Sequence, residues 1–171
     1  AGFFSRRIED QIRFRRTSQF TVVAENIDSG RTRGVELELR GSISKYFVLD
    51  GELTWIDAID EATGNQIPGQ PSWLALVRPA LHSGPLGAAV SDLFTFFELN
   101  YVGDSFADPA NFVEIRSRTV LSLGLGAELF DGALGLGFRA EDVLDARGED
   151  LLGFPLPGRR FSGRLSYRHA W

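Results

Sequence analysis

Hydrophobic and polar positions alternate along most of this chain, and the alternation has the period of a β-strand. The segment Phe161–Trp171 puts Phe161, Gly163, Leu165, Tyr167, His169 and Trp171 on one face and Ser162, Arg164, Ser166, Arg168 and Ala170 on the other. Val35, Leu37 and Leu39 oppose Glu36, Glu38 and Arg40; Phe97, Leu99 and Tyr101 oppose Glu98 and Asn100. Leu121, Leu123, Leu125, Ala127 and Leu129 oppose Ser122, Gly124, Gly126 and Glu128, and Leu134, Leu136, Phe138 and Ala140 oppose Gly135, Gly137, Arg139 and Glu141. The pattern predicts about eight strands, around 3–14, 20–41, 46–59, 72–82, 92–103, 115–129, 133–144 and 159–171. No apolar stripe at i, i+3, i+4 is sustained, and the glycines of 121–140 disfavour a helix there. The chain reads as all-β.

The connections alternate in length. Short turns fall near Gly41–Lys45, Ser83–Val90 and Phe130–Gly132, and longer polar stretches near Ile59–Pro71, Asp104–Glu114 and Asp145–Gly158. A meander therefore places all long loops on one rim and all short turns on the other, as in an outer-membrane barrel. In that setting the apolar face meets lipid, and Trp55, Trp73, Tyr101, Tyr167 and Trp171 serve as interfacial girdle residues.

Composition narrows the field further. The 171 residues carry 18 Lys+Arg against 23 Asp+Glu, and this acidic balance without a basic run argues against nucleic acid as a partner. Hydrophobic content of 43% argues against disorder. No apolar run approaches the ~18 residues of a membrane-spanning helix, which is compatible with barrel strands. Cysteine is absent, so disulfides, thiolate metal sites and cysteine nucleophiles fall away. The chain lacks methionine and opens Ala-Gly-Phe-Phe in what reads as mid-strand, which favours the C-terminal piece of something longer over a trimmed whole.

Several segments resemble, in order, the last third of the barrel of TonB-dependent outer-membrane receptors. Asn26–Leu39, with its Arg-Gly-Val-Glu core, is similar to one strand of that family. Leu53–Ala58 followed by Ile67-Pro-Gly-Gln-Pro71 resembles the next strand and its loop. Tyr101–Gly103, Asp142–Asp145 and Pro155–Arg159 precede the terminal strand as the family's motifs do, although His169 stands where an aromatic or apolar residue is usual. The resemblance implies an antiparallel transmembrane β-barrel of 22 strands, of which 1–171 would form a C-terminal section. No segment here resembles the family's plug domain or TonB box. It further implies a Gram-negative outer-membrane location and TonB-dependent uptake of a scarce solute such as a siderophore–iron complex, cobalamin or a glycan. The implied partners are outer-membrane lipid, the barrel-assembly machinery and the TonB system acting through a plug.

Candidate chemistry is sparse. His82 and His169 could form a Ser–His dyad only if the fold brought a serine and an orienting group beside one of them, so no catalytic residue is assigned and the chain is not expected to be an enzyme. Gly124-Leu-Gly126 lies inside a strand and lacks the third glycine of a dinucleotide fingerprint; no cofactor is expected. Asp57, Asp60, Glu61, Glu149 and Asp150 match no calcium-loop spacing and read as solvated loop carboxylates, so no metal is expected. Glu36, Glu38, Arg40, Glu98, Arg116, Arg118, Arg139, Arg164 and Arg168 share the polar parity and would line the lumen, either as a salt-bridged wall or as contacts for a plug or ligand. Phe161, Leu165, Tyr167 and Trp171 form the expected C-terminal assembly signal. Two other readings compete with the transporter section: a self-contained eight-stranded outer-membrane barrel acting as anchor or adhesin, and a soluble periplasmic barrel holding a small apolar ligand.

Overall fold

The computed structural model describes residues 1–16 and 21–168. Eight long strands form one antiparallel sheet: β1 (Gly2–Arg16), β2 (Val22–Ser44), β3 (Phe47–Asp60), β4 (Trp73–His82), β5 (Val90–Val102), β8 (Arg118–Leu129), β9 (Leu134–Glu141) and β12 (Arg160–Tyr167). They follow one another in chain order, as a meander. Two short hairpins, β6–β7 (Ser105–Phe106, Glu114–Ile115) and β10–β11 (Glu149–Leu151, Phe154–Pro155), stand on the long loops that the sequence left structureless. The sheet ends on β1 and β12 and is not closed on itself among the described residues. His169 and Trp171 lie outside them.

The expected strands are all present, with shifted ends. The second strand runs on through Gly41 to Ser44, past an irregularity at Ser42–Ser44, so the turn is Lys45–Tyr46 rather than Gly41–Lys45. Its cause is local: the Ser44 Oγ accepts the Tyr46 N–H at 3.2 Å. β8 begins only at Arg118, which leaves Arg116 in the preceding loop and off the polar ladder where its parity had put it. β9 stops at Glu141 because Asp142, with φ 50, leaves the extended conformation. At the β8–β9 turn Phe130, Asp131 and Gly132 all have positive φ, and the Ala133 N–H closes the turn on the Phe130 carbonyl at 3.0 Å.

Register keeps like faces together across the sheet. Phe3, Val35 and Trp55 stand in one row, with Trp55 opposite Trp73; Leu53 meets Leu37 and Ala75; Leu99 meets Val77 and Leu121. Leu125 pairs Phe138, and Leu136 pairs both Ala127 and Leu165. These side chains are largely exposed, Leu125 at 59% and Leu165 at 72%. From Phe47 to Trp55 the apolar face of β3 extends about 26 Å at roughly 3.3 Å per residue. At a barrel tilt of about 40° that is about 20 Å of height, close to the apolar band of an outer-membrane wall. Trp55, Trp73 and Tyr101 mark its loop-side edge, whereas Tyr167, opposite Leu134, marks the turn side. Past Trp55 the same face becomes charged: Arg33 bonds Asp57 at 2.8 Å and Arg7 meets Glu61 at 2.7 Å.

Candidate functional site: a charged face under a loop rim

The opposite face carries the chemistry. In its middle β8 offers only small residues there, Ser122, Gly124 and Gly126, opposite Glu98, Phe96 and Phe94 of β5, with Arg118, Val120 and Glu128 on the same face toward its ends. A Cβ on Gly124 would stand 2.1 Å from the Phe96 ring, and one on Gly126 2.3 Å from that of Phe94. The rings therefore lie over bare backbone, and Phe96 is only 8% exposed. The low floor also lets Arg139, paired with Gly124, reach across β8 to Glu98, where its Nη2 donates at 2.7 Å.

From there an ion-pair chain joins residues of four strands, β4, β5, β9 and β12, across β8. Glu98 also faces Arg78 at 3.9 Å; Arg139 Nε lies 3.2 Å from Glu141, which accepts Arg160 at 2.9 Å. The guanidiniums of Arg78 and Arg139 lie 4.4 and 5.6 Å from the Phe96 centroid. A cavity of about 290 Å³ opens against this network, with Ser122 in its floor and Leu156, Pro157 and Gly158 over it. Opposite charges so close and partly shielded make a stiff, pre-arranged wall.

Glu36, Glu38, Arg40, Arg118 and Arg164 share this face by strand parity. Arg40 donates to Asp50 at 3.1 Å and lies 3.8 Å from Glu38. Glu38 stands directly opposite Glu52, and Glu36 opposite Thr54. Arg164 stands opposite Gly137 and is exposed. Arg168, just beyond β12, donates its N–H to the Ala133 carbonyl at 2.8 Å. Glu98 and Arg139 thus meet, while Glu36, Glu38 and Arg40 form a separate group and Arg164 and Arg168 join neither. Sequence reasoning did not single out Asp50, Arg78 or Arg160; even-numbered parity carried through β3, β4 and β12 would have found them.

Near the turn-side rim, His82 Nδ1 lies 2.6 Å from Asp92, and its ring stacks on Phe94 at 6.0 Å. The neighbouring Ser83 Oγ donates to the Gly84 carbonyl and accepts the Leu93 N–H, so it anchors the turn rather than meeting the imidazole. The loop carboxylates are similarly engaged: Asp57 and Glu61 hold arginines, and Asp60 caps the Ala62 N–H at 2.9 Å. Among the described residues no group of three or more His, Asp or Glu is placed to hold a metal.

The long loops are ordered by side chains. Asn111, with φ 58, accepts the Gln66 N–H at 2.8 Å and donates back to the Gln66 carbonyl at 3.0 Å, tying residues 61–72 to 103–117. Asn65 Nδ2 adds a bond to the Pro109 carbonyl at 2.8 Å. Burial raises the Asp108 carboxyl, but N–H donors from Val113, Phe112, Ala110 and Asn111 outweigh it and hold the group below its ordinary range. Segments 61–72, 103–117 and 142–159 carry Glu61, Asp104, Asp108, Glu114, Asp142, Asp145, Glu149 and Asp150 against Arg116, Arg147 and Arg159. They hold the equivalent of the whole chain's net charge of -5, so the rest of the chain taken together is neutral.

An antiparallel meander with one apolar face, one charged face and long loops at one end has the makeup of an outer-membrane β-barrel wall. Residues 1–139 match the family described as TonB dependent receptor-like, beta-barrel, and the chain belongs to that family. Among solved structures it is similar to BauA, the ferric preacinetobactin receptor from Acinetobacter baumannii, with a TM-score of 0.72 and 16% identity. The alignment covers 96% of this chain and 26% of the receptor, so the chain spans about a quarter of that length, and at this identity the likeness is one of fold. No curated protein matches the chain in sequence.

Proposed function

We propose that this chain is a C-terminal section of the barrel of a TonB-dependent receptor that takes up a scarce solute across the Gram-negative outer membrane. A siderophore–iron complex, cobalamin or a glycan are the candidate classes. Family membership over residues 1–139 carries the reading. The open sheet supports a section of a larger wall, because in lipid the free edges of β1 and β12 need strand partners. The same openness weighs against the self-contained anchor or adhesin, and the outward apolar band against the soluble periplasmic barrel.

In this reading the face bearing Glu36, Glu38, Arg40, Glu98, Arg139, Arg164 and Arg168 lines the lumen, where it meets a plug or passing ligand. Binding and passage, not covalent catalysis, are its work. A TonB-type partner energises the plug. Phe161, Leu165 and Tyr167, exposed on the apolar face of β12, offer a strand for β-augmentation to the assembly machinery, together with Trp171. Uptake of radiolabelled ferric siderophores, cobalamin and oligosaccharides should be compared in cells with and without the parent receptor, and with and without the energising partner. Uptake of one class that needs both supports the proposal. Unchanged uptake of all three without the receptor overturns it.

A further inference from the structure

The apolar face holds a depression of about 340 Å³ lined by Val35, Leu37, Leu53, Trp55 and Trp73. Register explains its shape. Trp55 stands between Val35 and Trp73 in the upper row, and Leu53 between Leu37 and Ala75 in the next. One row further down Gly51 lies between Leu39 and Val77 and offers no side chain. Ala75 and Gly51 thus leave a trough under the two indoles, about 13 Å long from Trp55 to Gly51 at roughly 3.3 Å per residue. It runs along the strands, from the loop-side edge of the apolar band towards its middle.

Just above this trough the same face becomes cationic. Arg33 occupies the row beyond Val35, and Arg7 and Arg31 stand directly opposite each other in the row after that. Arg33 holds Asp57 at 2.8 Å, and Arg7 holds Glu61 at 2.7 Å, with Glu9 at 3.8 Å. Arg31 is half-buried, and its Nε is shut off from water with no hydrogen-bond partner among the described residues. Like charges directly opposite on a sheet repel, and guanidiniums are suited to gripping a phosphate.

We propose that this face binds one anionic lipid of the leaflet on the long-loop side, with its phosphate on Arg7 and Arg31 and an acyl chain in the trough beneath Trp55 and Trp73. The inference rests on the outer-membrane reading above. An acyl chain matches five apolar lining residues, and an anion relieves the repulsion between the two arginines. A phosphate-bearing lipid joins both features in one molecule. The chain alone would accept any bilayer lipid; the guanidiniums select its charge, by about fivefold each.

The test uses the parent receptor refolded into phosphatidylcholine vesicles that contain a small, equal fraction of either phosphatidic acid or phosphatidylcholine with brominated chains, which quench indole fluorescence on contact. Quenching that belongs to Trp73 is the difference between the parent and its Trp73→Phe variant. Brominated phosphatidic acid should quench Trp73 at least about fivefold more than brominated phosphatidylcholine. Arg31→Gln should bring the two lipids to within about twofold of each other. Arg7→Gln, at a side chain 62% exposed, is a second variant that does not threaten the fold. Equal quenching by the two lipids in the parent overturns the proposal and marks an ordinary bilayer contact. A preference kept in both arginine variants overturns it too. So does a preference abolished by inorganic phosphate, which marks a site for the free anion. Failure of the outer-membrane reading shows separately, as a parent that does not enter the vesicles at all.

Discussion

Gly124→Ala offers the sharpest test of how the charged face is built. The new methyl would stand 2.1 Å from a ring carbon of Phe96. Ordinary carbon contacts are about 3.5–4.0 Å, so the ring must move by roughly 1.5 Å. Phe96 is 8% exposed and lies beneath the guanidiniums of Arg78 and Arg139, so the shift disturbs the bond from Arg139 to Glu98 as well. Overpacking of this kind costs about 1–3 kcal/mol. A weakened cation–π contact adds about 0.5–1 kcal/mol. Against these, replacing glycine stabilises by about 0.4–1 kcal/mol through the unfolded chain. The net expectation is a loss of about 1–3 kcal/mol. Gly41→Ala, where nothing lies within 4 Å, is the control and should be neutral or slightly stabilising. Urea titration of the parent barrel refolded into lipid bilayers measures both. In a Phe96→Ala background the ring is gone, and Gly124→Ala should become neutral or stabilising, a coupling of about 2 kcal/mol. Additive effects of the two substitutions would refute the account, since they would locate the cost of the methyl elsewhere.

Other consequences are open to measurement. Leu125, on the apolar face midway between the Tyr101 row and the β8–β9 turn, should lose about 2–4 kcal/mol of bilayer stability as arginine. Glu52→Arg, at similar height on the opposite face and paired with Glu38, should cost far less or stabilise; equal losses in lipid-refolding titrations would reverse the assignment of faces. Glu98→Gln leaves Arg78 and Arg139 without their shared carboxylate and should cost about 1–2 kcal/mol in the same titration, between the values for exposed and buried pairs. The Asp108 carboxyl sits below its ordinary pKa, so its contribution to loop order is full above the unfolded value of about 4 and fades as pH falls through the lowered folded value. Because the chain has no cysteine, a spin label at Ala110→Cys reports this cleanly: mobility should rise only in strong acid, and a rise near pH 6 would contradict the sign.

How much was legible beforehand follows from which signals are local. Alternation at Val35–Arg40, Phe97–Tyr101 and Leu121–Glu141 set the strands and sorted Glu98 and Arg139 onto one face. Side-chain direction in a strand depends only on parity, and the sorting of long and short connections follows from chain order alone. The turn at Lys45–Tyr46 was misplaced because a serine side-chain bond and a strand irregularity leave no periodic trace. The hairpins β6–β7 and β10–β11 were missed because two or three paired residues are too short to show a period.

The sequence by itself determined an antiparallel wall with one apolar and one charged face, because burial of alternate residues needs only the pleat. Tertiary structure alone decided that Glu98 meets Arg139, residues 41 apart, across a strand that offers Ser122 and Gly124 as its floor. It also decided that Asn111 locks to Gln66, and that Phe112 stands free above an acidic rim. Those pairings depend on cross-strand register and on side chains too small to fill the space between neighbours. Register is a property of the assembled sheet, which no single strand contains.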